Sequence, residues 1–212
     1  MGTVVDKLYG EYQAMVQMMD RYNAISFRNT LNDNFRKTLL LCAASHFEFR
    51  VTSDVVLFCE EASNGNSLIP SLVRNKAVSR QYHTWFDWDA RNANAFYKIF
   101  GEDFKSHMSA LMDNDPNLAR SVTDFLEIGR ERNRLVHQDY GSFFLEKLAE
   151  EIFALYASAL FFVEFIPNQG TRAKNSRIHI REARKQYFNL ISENRKQGLL
   201  HIFLGGVNDQ LF

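Results

Sequence analysis

The run Arg132-Asn133-Arg134-Leu135-Val136-His137 gathers guanidinium, amide and imidazole groups into a few residues. A guanidinium stays protonated at every relevant pH and presents a planar fork of donors suited to an oxyanion. An imidazole titrates near about 6.5, so it gives and takes protons around neutrality. With Phe125 at zero on a wheel of about 100° per residue, Val122, Ile128, Leu135 and Val136 fall within about 80° and define a buried face. Arg132 lies about 20° from the centre of that face, where a leucine is expected, and an unpaired charge there is costly. Asn133 at about 80°, His137 at about 120° and Arg130 at about 140° form one edge of the stripe, a plausible cleft wall. His137 is about 140° around from Arg132, so one straight helix does not aim both at one anion. Either the helix ends there or a second subunit contributes.

Glu48 is the matching oddity upstream. It falls on the same helical face as Leu41, Ala44, Val51 and Val55, and a buried carboxylate needs a partner. The expectation is a bidentate Glu48–Arg132 pair that orients the guanidinium for work rather than adding net stability. A purely structural pair is the alternative.

These residues must be held by helices. Leu8, Tyr12, Met15, Met19 and Tyr22, at spacings of three and four, predict a first helix from about Val4 to Tyr22. A long, largely buried second helix is expected from Asn34, after Asn29-Thr30, to Ala62, where Ser63-Asn64-Gly65-Asn66 ends it. Pro70 suits the first turn of a short basic helix that leads into the aromatic run Tyr82 to Trp88. Asn94 to Met112 reads as one helix, and Asp115-Pro116 as the cap and first turn of the helix that runs to near Gln138. Gly141-Ser142 separates it from an apolar helix over Phe143 to Phe165, its expected antiparallel neighbour. Pro167-Asn168-Gln169-Gly170 breaks that helix. A basic helix from Ser176 to Lys196 and an apolar tail from Gly198 to Phe212 close the chain.

Composition agrees. Three prolines and ten glycines in 212 residues, with 46% hydrophobic content, favour an all-α, single-domain helical bundle with a long second helix and an extra C-terminal helix. One domain over 1–212 is expected, its core about 4–167 and the basic helix and tail about 171–212. Net charge is zero, so any nucleic-acid contact must be local. No apolar stretch reaches the roughly 18 residues of a membrane span and no secretory leader opens the chain, which predicts a soluble, cytoplasmic protein. Cys42 and Cys59 share one predicted helix, about 25 Å apart by its rise, and read as buried small hydrophobes. No metal-ligand set, phosphate loop, paired catalytic carboxylates or serine elbow is present in the sequence, so neither metal nor cofactor is expected.

The local pattern, an arginine, an asparagine, three residues and a histidine, resembles the signature of the HEPN superfamily, in which an arginine, a polar residue and a histidine close a helix of a small bundle. Upstream, Ala44-Ser45-His46-Phe47-Glu48 looks like the aromatic–glutamate element of defence-associated bacterial members. The resemblance covers the central half of the chain. It implies a metal-independent endoribonuclease acting as a homodimer with a composite site, which removes the geometric difficulty of Arg132 and His137. His137 would act as general base or acid on the RNA 2′-hydroxyl, leaving a 2′,3′-cyclic phosphate and a 5′-hydroxyl. Arg132 would stabilise the pentacoordinate phosphate, and Asn133 would position His137 or the phosphate. A role in toxicity or anti-phage defence follows by the same resemblance, with an inhibitory antitoxin or regulatory partner.

Other readings stand beside this one. His137 can simply favour a helix C-terminus, with Arg130 and Arg134 on a solvated face. A non-catalytic module that binds nucleotide, RNA or a partner is the main alternative to the enzyme. Arg177, Arg181, Arg184 and Lys185 share one face of the basic helix and, with Arg130 and Arg134, are the candidate RNA-backbone contacts, or serve as plain surface. Arg74, Lys76, Arg80, Tyr82, His83, Trp85 and Trp88 mix cations with rings that can stack on unpaired bases, although core packing explains such aromatics more often.

Overall fold

The computed structural model describes residues 2–167, which lie within the compact unit formed by residues 1–168. The predicted basic helix, with Arg177, Arg181, Arg184 and Lys185, and the apolar tail lie outside the described residues. All regular structure described is helical: α1 (Val4–Arg21), α2 (Ile25–Ala62), α3 (Leu68–Val73), α4 (Asn94–Ile99), α5 (Glu102–Asn114), α6 (Pro116–His137) and α7 (residues 149–167). A π-helical turn, Arg74–Val78, and a 3₁₀ turn, Tyr82–Thr84, lie between α3 and α4. Among the described residues no helix is long and apolar enough to cross a membrane.

Helix α1 starts with a capping box. The Thr3 hydroxyl accepts the Asp6 N–H at 3.1 Å, and the Asp6 carboxylate accepts the Thr3 N–H at 2.6 Å. Tyr12 then stacks on Phe35 of α2, with ring centroids 3.9 Å apart, and Tyr9 stacks on Phe153 of α7 at 4.1 Å. Asn23, at φ 53°, makes the tight reversal between α1 and α2, a conformation asparagine tolerates better than most residues.

Helix α2 begins nine residues earlier than its predicted start. Thr30 and Asn34, at which the break is expected, bond back to the carbonyls of Ser26 and Thr30 on the preceding turn, as Thr38 does to that of Asn34. The helix thereby reaches 38 residues, roughly 57 Å at about 1.5 Å per residue. Phe35, Leu39, Leu40, Ala43, Phe47 and Val51 are its buried stripe. Cys42 and Cys59 are free and half-buried on it, less enclosed than expected.

The predicted helix from Asn94 to Met112 is two helices. Gly101, at φ 102° and ψ 161°, breaks it in a conformation that residues with a Cβ rarely adopt. Residues 143–148 are not helical either. Phe143 and Leu145 are buried while Phe144 and Glu146 are exposed, the alternation of an extended segment. Helix α7 starts only after Leu148, whose N–H is accepted by the Glu151 carboxylate at 2.7 Å.

Phe125 of α6 is the junction of the core. Its ring lies 5.4 Å from Phe47 of α2, 5.0 Å from Phe86 of the segment before α4 and 5.2 Å from Phe162 of α7. Rings at these distances prefer tilted contacts, and each fully buried phenylalanine contributes about 1.5–3 kcal/mol by area. Two turns beyond Phe125 comes Arg132, so the packing that fixes α6 also fixes the chemical groups at its end.

Candidate active site

Asp115 caps α6 as expected, its carboxylate accepting the N–H groups of Asn117 at 3.0 Å and Leu118 at 3.2 Å, with Pro116 in the first turn. The helix ends at His137. Val122, Ile128 and Leu135 are buried as the wheel predicts, but Val136 is 44% exposed, a correction to the predicted face. The buried arc turns the other way, because Asp124 and Glu131 are also buried, and Glu131 accepts both of its bonds from Arg134 Nη1, at 3.0 and 3.1 Å. Arg130 reaches Glu127 and Glu131 at 3.9 Å.

Arg132 is half-buried, not fully enclosed. It lines a small pocket between α2, α6 and the 3₁₀ turn together with Glu48, Tyr82, Trp88 and Asn133. The pocket holds about 20 Å³, space for one water-sized sphere. The expected direct Glu48–Arg132 pair is not formed: no ion pair within 4.0 Å joins them. Instead Arg132 Nη1 donates to the Asn133 side-chain oxygen at 3.1 Å, and Glu48 contributes to the pocket wall. Both charges still act on one group. Burial pushes the Tyr82 hydroxyl well up from its ordinary value, Glu48 adds to the rise, and Arg132 opposes it.

A second, open cleft of about 470 Å³ adjoins the first, walled by Arg130, Asn133, Arg134 and His137 of α6 and by Phe86, Asp87, Trp88 and Asp89. His137 and Arg132 therefore face different cavities, and Asn133 and Trp88 line both. Trp88 lies directly on α6: its Nε1–H donates to the His83 carbonyl at 3.0 Å, and a Cβ added to Gly129 would fall 2.0 Å from the ring. Only a glycine one turn before Asn133 lets the indole lie there.

The chain beyond His137 is tied to α2. Lys37, only 2% exposed, donates to the Tyr140 carbonyl at 3.0 Å and sits 5.2 Å from the centre of that residue's ring. Arg36 beside it covers the Phe144 ring at 5.0 Å, and Arg134 covers Phe143 at 5.8 Å. Lysine at this depth is rare without partners, and this one also has Asp33 at 3.9 Å.

A family model described as RiboL-PSP-HEPN matches residues 7–169 of the 212. This chain belongs to that HEPN family. Neither the curated proteins nor the solved structures compared with it gave a match. Membership points this HEPN chain towards ribonuclease-like chemistry, and its all-helical fold agrees with the assignment.

Sequence reading singled out Arg132, Asn133, His137 and Glu48, and the HEPN fold brings Arg132, Asn133 and Glu48 to one pocket, with His137 beside it. It missed Lys37, Gly129, Asp87 and Asp89. A lysine within the long apolar helix and a glycine inside α6 were both readable signals. Trp85 is core, its Nε1–H bound to the Ala77 carbonyl at 3.1 Å, whereas Trp88 is half-buried at the cleft. His83 is exposed, accepts the Trp88 indole N–H through its carbonyl and is among the residues lining the small pocket. Among the described residues no group of three or more His, Cys, Asp or Glu side chains is placed to hold a metal ion.

Proposed function

We propose that this HEPN protein is a metal-independent endoribonuclease. The observation that carries the reading is the placement of Arg132, Asn133 and His137 at the end of a capped helix, around two adjoining cavities with a shared wall. One imidazole accepts the 2′-hydroxyl proton as the oxygen attacks the adjacent phosphorus. The bond from phosphorus to the 5′-oxygen breaks, and that oxygen takes a proton from a second acid. The products are a 2′,3′-cyclic phosphate and a 5′-hydroxyl. Arg132 stabilises the charge on the pentacoordinate phosphate, with Asn133 fixing its guanidinium through the 3.1 Å bond.

A homodimer supplies the second proton-transfer group. Because Arg132 and His137 of one chain face different cavities, a composite site in which each copy contributes part of the set accounts for their divergence. An enzyme of this kind, active on cellular RNA, requires restraint, which fits a toxin or anti-phage role with an inhibitory antitoxin or regulatory partner.

The second reading is a module that binds nucleotide, RNA or a protein without cleaving it, and the ion pairs of Arg130 and Arg134 with Glu127 and Glu131, which occupy cations that would otherwise meet a phosphate, favour its protein-binding form. One experiment separates the two. Full-length protein and its His137→Ala and Arg132→Ala variants are incubated with mixed RNA and matched DNA in excess chelator, and product ends are identified. Cleavage of RNA alone, with cyclic-phosphate ends and loss in both variants, supports the enzyme. Equal cleavage by the variants, or intact RNA with retained binding, supports the module.

A further inference from the structure

Cleavage of a phosphodiester does not require the whole lining of the open cleft. Besides Arg130, Asn133, Arg134 and His137, the cleft is lined by Trp88 and two acidic residues, Asp87 and Asp89. Acids beside a site for a polyanion repel its backbone, so their presence needs a different partner. Asp87 Oδ1 accepts the Asp89 N–H at 3.3 Å, but neither carboxylate joins an ion pair within 4.0 Å among the described residues. Arg130 and Arg134 line the same cleft yet turn to Glu127 and Glu131. Both aspartates are exposed residues of the cleft lining, and among the described residues no cation pairs with either.

We propose that this cleft is a base-reading subsite for an unpaired guanine of the RNA, stacked on Trp88 with its Watson–Crick edge towards Asp87 and Asp89. The proposal rests on the ribonuclease reading for its substrate class. Ionised carboxylates only accept hydrogen bonds. Guanine is the one common base with two adjacent N–H donors on that edge, N1–H and the 2-amino group. Adenine and cytosine set one amino group beside a ring acceptor, and uracil sets one N–H between two carbonyls, so each turns an acceptor towards the carboxylates. Recognition of unpaired bases by an aromatic platform and edge contacts is the usual mode for single-stranded RNA. Trp88 is already fixed for it by the His83 carbonyl and the bare surface of Gly129, so little side-chain freedom is lost on stacking. At about 470 Å³ the cleft is within the size range of small-ligand sites.

The test uses 2′-O-methyl RNA, which keeps the bases but lacks the attacking hydroxyl, so binding is read without cleavage. Short 5′-fluorescein-labelled uridine oligomers carrying one central guanosine, adenosine, cytidine or uridine are titrated with the full chain, and binding is read by fluorescence anisotropy. The guanosine oligomer is expected to bind about tenfold tighter or better, the discrimination of one good two-donor contact. In the double variant Asp87→Asn, Asp89→Asn that preference falls to within about twofold, because an amide offers a donor where guanine needs an acceptor. Trp88→Leu weakens all four oligomers, and a melting curve checks its fold; the exposed aspartates serve as the variants that leave the core untouched. Equal binding of the four oligomers, or a guanosine preference that survives in the double variant, overturns the subsite. Cleavage of the matching 2′-hydroxyl oligomers is scored separately. Guanosine-selective binding without any cleavage overturns the ribonuclease reading and keeps the subsite; cleavage with no base preference in binding does the reverse.

Discussion

Gly129→Ala should destabilise the protein even though alanine is the better helix former. Inside a helix, glycine to alanine is worth about 0.5–1 kcal/mol in favour of alanine. At Gly129 the new methyl would lie 2.0 Å from two Trp88 ring carbons and 2.9 Å from a third, against an ordinary contact near about 3.5–4.0 Å. The indole must therefore move by roughly 1.5 Å or more, the difference between those distances. Moving it strains the Nε1–H bond to His83, worth about 0.5–1.5 kcal/mol, and its ring contacts with Phe86 at 5.0 Å and Tyr82 at 5.8 Å, at about 0.5–1.5 kcal/mol each. After the helix gain is subtracted, the net cost is about 0.5–4 kcal/mol, which at about 2–4 °C per kcal/mol lowers Tm in a protein of this size. Gly10 in α1 is the internal control. Nothing lies within 4 Å of a Cβ added there, so Gly10→Ala should stabilise by about 0.5–1 kcal/mol. Urea unfolding of both variants, with tryptophan emission in a Trp85→Phe background, reads stability and the position of Trp88 together. A Gly129→Ala protein as stable as wild type, with unchanged emission, would refute the close packing of Trp88 on α6.

Arg132→Lys keeps the charge but loses the planar fork, so it should fold normally and lose about 10²-fold or more in RNA cleavage; retained activity would mean that charge alone matters. Lys37→Met keeps most of the buried stem and removes the bond to Tyr140, so stability should change by only about 1–2 kcal/mol while cleavage falls and amide exchange over residues 138–145 speeds up. Unchanged exchange there would sever Lys37 from the site. Burial, aided by Arg50 and opposed by Asp6, holds His46 below the ordinary imidazole value, 2.9 Å from the Tyr156 hydroxyl. The unfolded chain then binds the proton first, so stability should fall as pH drops below about 6.5, and urea midpoints of His46→Gln should lack that part of the slope. Tyr156 itself is pushed up to about 12, chiefly by burial, so stability should also fall as pH rises from about 10 towards that value, a loss that Tyr156→Phe removes.

The sequence made the fold class and the α6 boundaries legible because apolar spacing, an Asp-Pro cap and a terminal basic turn agree there. It misread the start of α2, since Thr30 and Asn34 carry turn-like side chains whose bonds run back along the same helix. It also extended helices through Gly101 and through Phe143 to Leu148, where one backbone conformation and one alternating segment decide the outcome. The site was legible as residue types, with Arg132, Asn133, Glu48 and His137 drawn to one neighbourhood, but not as contacts. A wheel gives direction and not distance, so it pointed Glu48 and Arg132 at one another without showing the small pocket and the Tyr82 hydroxyl beside them. Trp88 on Gly129 and Lys37 on Tyr140 join residues far apart in the chain, and local pattern carries no information about such meetings.

Helix α2 carries both Lys37 and Glu48, eleven residues apart. That interval is about three turns and about 16 Å, so the two residues point the same way and act as the jaws of a caliper set along one rod. One jaw grips the strand of chain just past His137, and the other sits at the pocket of Arg132. The gap between them is thus written into chain length: inserting one residue into α2 between them would turn one jaw about 100° away from the other, and an added block of eleven would restore the direction but part the jaws by about 16 Å more. Natural length variation in α2 should therefore spare the interval between these two positions.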